Sequence, residues 1–174
     1  MNDVGFAPST ADAGVAAKLR YVNAEWKGRE EIPRIGSRET RRANTSVQDI
    51  RIYNARPGLA SGAHDLERSG FTLIRNATTC TDFRNEAEVQ KAYYPEIQKL
   101  VQQATGAAGV YIRSHLIRTE VPIDFNDGYA RFVHCDYNMS RLGEMSEEVL
   151  AQYGVEPRKN WDYVWFNTWQ PFDN

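Results

Sequence analysis

Several features that would narrow the function of this 174-residue chain at once are missing or scarce. There are two cysteines, Cys80 and Cys135, too few for a disulfide framework. Reduced thiols and a cytoplasmic location are therefore expected. The opening MNDVGFAPSTADAG has neither a basic n-region nor an apolar h-region, so it does not read as a signal peptide. No apolar run approaches the ~18 residues of a membrane span. The net charge is −2 and the pI about 5.9, which gives no global field to attract nucleic acid. A Gly-rich phosphate loop and a CxxC zinc pattern are both absent. Arg38, Arg41 and Arg42 make a local basic cluster beside Pro33 and Gly36, expected to be a solvated, flexible arm.

What remains is an ordinary globular composition, 41% hydrophobic and 25% charged, with nine Tyr and four Trp. The aromatics favour strands and an aromatic-lined pocket. Residues 1–46 read as an N-terminal arm and surface excursion, with 15–22 open between strand and helical turn. Residues 47–55 alternate as a strand. Residues 64–69 suit a short helix closed by Gly70, and 71–77 a strand. Thr81 or Asp82 can cap the segment that follows. Val89, Tyr93, Ile97, Leu100, Val101 and Ala104 recur at helical spacing over 84–105. Pro95 divides that stretch and suits the first turn of a second helix, which Gly106 ends. Alternating runs at 109–118 and 129–137 predict strands, and so does 162–169, dense in aromatics. Residues 146–153 predict a helix capped by Ser146, with Glu147 and Glu148 in its first turn and Gly154 at its end.

The chemistry concentrates at His134-Cys135-Asp136. Residues two apart on a strand share a face. An imidazole and a carboxylate on one face are two of the three ligands of a 2-His-1-carboxylate iron site. A buried carboxylate is costly unless paired or bound to metal, and Phe132 shares this face. The alternative is a solvent-facing His beside an Asp that caps a turn. Cys135 faces away and reads as a buried, inert thiol. Among the other histidines, His115 precedes the motif and His64 lies in a charged helical stretch. Arg113 and Arg118 could bind a carboxylate bidentately, whereas Arg131 faces opposite His134. Asn167, set between Trp165 and Trp169, is a polar group in need of a partner.

An ordered series of segments carries a resemblance over roughly residues 47–171. It runs Leu-Glu-Arg-Ser-Gly-Phe (66–71), Asp82-Phe83, Tyr93-Tyr94-Pro95-Glu96, Thr105-Gly106-Ala107 and Ile117-Arg118. It continues with Val133-His134-Cys135-Asp136-Tyr137 and Phe166-Asn167-Thr168-Trp169-Gln170-Pro171. The series resembles the non-haem iron, 2-oxoglutarate-dependent oxygenases that include the cephamycin 7α-hydroxylase component CmcJ and fungal gibberellin-desaturase-like and AsaB-like enzymes.

The resemblance implies a mixed α/β, mainly β fold: a double-stranded β-helix, or jelly roll, with flanking helices. It implies Fe(II) and 2-oxoglutarate as cofactors and a hydroxylase or desaturase of small-molecule secondary metabolism. His134 and Asp136 would be the metal ligands and catalytic centre, with Arg118, Asn167 and Trp169 as cofactor-binding residues. Gln170 stands where the family usually has Arg, which puts a charge-based contact there in doubt. Family members continue to a distal His, so residues 47–174 are expected to be the amino-terminal part of the oxygenase domain, ending inside a sheet.

Two other readings stay open. One is a truncated, non-catalytic homologue whose free sheet edge pairs with a second copy or a partner chain. The other is a cupin-like barrel using the same pair with zinc or manganese. The expected partner in the main reading is a small-molecule substrate, with neither nucleic acid nor membrane involved.

Overall fold

The computed structural model describes residues 14–118, 132–137 and 139–172. The fold divides into two compact units, Met1–Arg75 with Ala130–His134, and Asn76–Tyr129 with Cys135–Asn174.

The first unit is built on an antiparallel pair, β1 (Val15–Val22) and β2 (Thr45–Ile52), in register from Val15 opposite Ile52 to Val22 opposite Thr45. The 15–22 segment, ambiguous by itself, is thus a strand because β2 supplies its ladder. Lys18 lies directly opposite Asp49 and their charged ends meet at 2.6 Å. Both side chains are well exposed, so the pair sets register more than stability. Between the strands lies α1 (Arg38–Asn44). The Thr40 N–H donates to Ser37 Oγ at 3.0 Å and the Ser37 N–H to Thr40 Oγ1 at 3.2 Å, a reciprocal cap that starts the helix. The arginine cluster is therefore not a flexible arm. Arg38, Arg41 and Arg42 belong to this capped helix, with Arg41 and Arg42 in its last turn, where cations suit the helix dipole.

At the end of β2 the chain turns through α2 (Arg56–Ala60), with Pro57 in its first turn, and α3 (Leu66–Ser69). Asp65 caps α3 by accepting from the Arg68 N–H at 2.7 Å, and Gly70 at φ 72° closes it, as its position predicts.

The second unit holds the longer helices. Asn85 opens α4 (Glu86–Glu88) by accepting from the Glu88 N–H. The cap is Asn85 and not Thr81 or Asp82, whose backbone N–H groups instead donate to the Glu88 carboxylate. A π-helical turn, Val89–Tyr93, leads into α5 (Tyr94–Thr105). Pro95 sits in the first turn of α5, as predicted, but the helical path is not cut. The wide turn just before it takes up the missing donor and the ring. Gly106 at φ 69° ends α5.

A 3₁₀ turn, Met139–Arg141, precedes α6 (Leu142–Gln152), and Gly154 at φ 65° follows it. Here the expected boundary moves. Ser146 is not the cap but a buried residue inside α6, because Met145, Val149 and Leu150 share its inward stripe.

Among the described residues the sheet is two-stranded. Residues 71–77, 109–117 and 162–169 form no ladder there, and neither do 132–137. Tyr129, Ala130 and Arg131 of the expected 129–137 strand lie outside the described residues, as do 1–13. The period-2 pattern itself persists at 161–166. Trp161, Tyr163 and Trp165 are half-buried while Asp162, Val164 and Phe166 are exposed.

Candidate functional site

His134 and Asp136 fall on either side of the division between the units, so each is set by its own surroundings. In the first unit, His134 is exposed and its Nδ1 lies 2.9 Å from the Phe132 carbonyl oxygen. A carbonyl only accepts, so Nδ1 carries the hydrogen. In the neutral ring Nε2 then holds the lone pair, the tautomer of a metal-binding histidine. The Phe132 ring tilts over the imidazole, with centroids 5.0 Å apart.

In the second unit, Asp136 is the end of a chain of contacts that starts in α6. The Ser146 hydroxyl, buried, donates to the Leu142 carbonyl at 2.7 Å, and its Oγ accepts from the Trp165 indole N–H at 3.0 Å. The Trp165 ring packs on Tyr137 at 4.9 Å between centroids and 55° between planes. The Tyr137 hydroxyl donates to Asn167 Oδ1 at 2.6 Å. The Asn167 amide N–H donates to Asp136 Oδ2 at 2.5 Å. The amide can only sit this way round, because a carboxylate accepts and does not donate. Burial, and then the Asp136 charge, push the Tyr137 phenol up, partly offset by Arg113, so it remains a hydrogen donor across the ordinary pH range.

Both residues fit a metal ligand role chemically. A carboxylate has about four lone-pair sites, and the Asn167 bond occupies one. A ligand carboxylate or imidazole is characteristically held by just such an outer hydrogen bond. Among the described residues no group of three or more His, Cys, Asp or Glu side chains is placed to hold an ion.

Other expected residues are placed as follows. Asn167, whose amide needed a partner, finds Asp136 and Tyr137. Trp169 is 76% exposed. Arg118 is half-buried at an isolated backbone bridge. Arg113 lies close enough for its charge to act on Tyr137. Gln170 uses Oε1 to accept from both Asn76 Nδ2 at 2.8 Å and the Tyr93 hydroxyl at 2.9 Å. An arginine at this position could not accept from either.

His115 pairs through Nδ1 with the Tyr94 hydroxyl at 2.8 Å, ring edge to ring face. His64 lies 3.3 Å from Ser69 Oγ and near Phe71. Cys135 is exposed, contrary to its expected burial, because 133–136 is an exposed segment and not a strand packed on one face. Cys80 is the buried thiol, and burial followed by the Glu88 charge push it up, away from the reactive thiolate. Sequence reasoning gave Ser146 another role, that of a helix cap, and missed the role of Tyr137. The one signal was that Tyr137 directly follows Asp136.

Comparison with known proteins now defines the class. Residues 19–174 match the family described as "Oxidoreductase/YMDC permease-like domain", and the chain belongs to that family. Among curated proteins it is 31% identical over 140 residues to the alpha-ketoglutarate-dependent dioxygenase phiK of Fungal sp. (strain ATCC 74256), covering 75% of this chain and 48% of that protein. It is 26% identical over 178 aligned residues to oxidoreductase AN1597 of Emericella nidulans, covering 94% and 58%. It is 28% identical over 141 residues to the hydroxylase/desaturase efuI of Hormonema carpetanum, covering 68% and 47%. The chain spans about half the length of the curated relatives it matches. The resemblance to CmcJ/AsaB-like oxygenases read from the residues accords with these relatives. No solved structure matches the chain. No helix among the described residues is long and apolar enough to cross a membrane.

Proposed function

We propose that this chain is the amino-terminal part of an Fe(II)/2-oxoglutarate-dependent oxygenase, a hydroxylase or desaturase acting on a small secondary metabolite in the cytoplasm. In this reading His134 and Asp136, two residues apart in the chain, hold the metal, and the third ligand comes from outside the described residues. The fold it belongs to is a jelly roll with flanking helices, to which the 109–118, 129–137 and 162–169 segments contribute. The observation that carries the reading is the hydrogen bonding of the pair. His134 is held by Phe132 in the tautomer that presents Nε2, and Asp136 is held by Asn167. The printed names of phiK and efuI support the same chemistry.

When bound, Fe(II) with 2-oxoglutarate supplies oxidative chemistry at an unactivated C–H bond. The chain's own residues do the rest. Asp136 supplies negative charge at a fixed position, and Asn167 keeps that carboxylate from turning. Tyr137 and Trp165, packed ring against ring, support the Asn167 amide on the Asp136 side. Arg118, with Arg113, is the cation this reading assigns to a carboxylate of the co-substrate, and Trp169 offers an exposed aromatic face.

The test is iron-dependent succinate formation from 2-oxoglutarate by the natural full-length protein. We expect turnover in the wild type and a loss of about 100-fold or more in His134→Ala and Asp136→Ala, since even outer hydrogen-bond partners are worth 10–100-fold. Equal succinate formation by those variants and the wild type would overturn the assignment.

A further inference from the structure

We propose that Asn167 is a positioning residue for the Asp136 carboxylate, and that Tyr137 fixes the amide in the orientation this requires. This rests on the metal-ligand reading of Asp136 and adds to it a device within one unit of the chain. The resemblance alone would place Asn167 against a cofactor. The geometry points elsewhere, because both ends of its amide are engaged, Nδ2 on Asp136 and Oδ1 on Tyr137.

The device has a direction. Its inner end is rigid: Ser146 is buried in α6 and locked by two hydrogen bonds, one made and one received. Its outer end, Asp136, is exposed. An exposed carboxylate rotates readily unless its rotamer is held, and ordering it only when a ligand arrives costs side-chain entropy. The Ser146–Trp165–Tyr137–Asn167 series transfers the order of the helix interior to that carboxylate in advance. Tyr137 matters because an asparagine amide is symmetric in shape. Without a donor on Oδ1 the carboxylate alone would select the amide's orientation, and the side chain would be freer to swing away from Asp136.

The test uses the natural full-length protein titrated anaerobically with Co(II) alone, followed by the d–d absorption band. Far-UV circular dichroism checks that each variant is folded. We expect Asn167→Ala to weaken Co(II) binding by roughly 10–100-fold and to move the band at saturating metal. Tyr137→Phe, which loses one hydroxyl, should weaken it by about 10-fold, the low end of that range. In the Asn167→Ala background Tyr137→Phe should have no further effect, because the hydroxyl acts only through the amide. A role confined to general stability would leave the saturated band where it is.

If Asn167→Ala and Tyr137→Phe bind as the wild type does while His134→Ala binds at least ~100-fold more weakly, the positioning role is overturned and the metal assignment stands. If the wild type binds no Co(II), or His134→Ala binds equally well, the metal assignment fails and takes this inference with it. Should Asn167→Ala not fold, Tyr137→Phe decides alone, and unchanged affinity there overturns the proposal.

Discussion

The two units of the chain are held together by different forces. In the second unit Cys80, Val89, Ile97, Met145, Val149 and Leu150 are buried, with Ser146 among them. In the first, the one buried residue among those described is polar, Thr45. Its Oγ1 donates to the Arg41 carbonyl at 2.5 Å and accepts from Arg20 at 3.2 Å. Val15, Val47 and Ile52 of the strand pair stay exposed. The first unit therefore rests on a backbone ladder and capped turns, the second on apolar burial. A hydrogen bond is net worth about 1 kcal/mol, and burying a large aliphatic side chain about 1.5–3. The groups that reach Asp136 are anchored in the unit with the apolar core, where a fixed geometry is easier to sustain.

The sharpest way to break this contrast is a pair of substitutions. Leu150→Ala should cost about 3 kcal/mol, by lost burial and the cavity it leaves. Val47→Ser, at a position 48% exposed, should stay within ~0.5 kcal/mol. Denaturant unfolding measures both, and equal costs would mean that the two units do not differ in kind. Next comes Thr45→Val, which keeps the volume and removes the hydroxyl. It should cost about 1.5 kcal/mol, because Arg20 and the Arg41 carbonyl each lose a partner. Amide exchange should rise along β1 and β2 and not along α5.

The smallest effect is a pH dependence. Glu96 accepts from the Thr78 and Thr79 hydroxyls and the Thr79 N–H, and Glu88 from the Thr81 hydroxyl and N–H. These bonds hold both carboxyls below the usual carboxylate range. Their contribution is complete above that range and is lost as pH falls through the lowered folded values. The melting midpoint should drop on acidification, and Glu88→Gln with Glu96→Gln should flatten that slope. An unchanged slope would show that these loop ties do not contribute.

How far the sequence reached follows the range of each interaction. Gly70, Gly106 and Gly154 end helices where their positions predict, because an αL closure is decided by one residue. Pro95 likewise sits in a first turn. The strands expected at 71–77 and 162–169 rest on local composition, rich in apolar and aromatic residues, which does not identify a ladder partner. Pairing is non-local, so 161–166 keeps the burial rhythm without a ladder. Ser146 misled because a serine before two glutamates is a good local cap, while the apolar stripe that overrode it spans two turns. At the site, His134 and Asp136 were visible as a motif. Their outer partners were visible only in part, since Asn167 signalled a need for a partner without naming one.

The π-helical turn at Val89–Tyr93 has a consequence for how this protein tolerates changes in length. Val89 and Ile97 are both buried although eight positions apart. In an unbroken α-helix they would point about 80° apart, whereas absorbing one residue in the wide turn reduces the offset to about 20°. At the end of this turn neighbouring tyrosines serve separate segments, Tyr93 at Gln170 and Tyr94 at His115. Removing one residue inside the turn would convert it to ordinary helix while both flanks kept their inward faces. This is the place where a homologue can gain or lose a single residue without rotating the helix on either side.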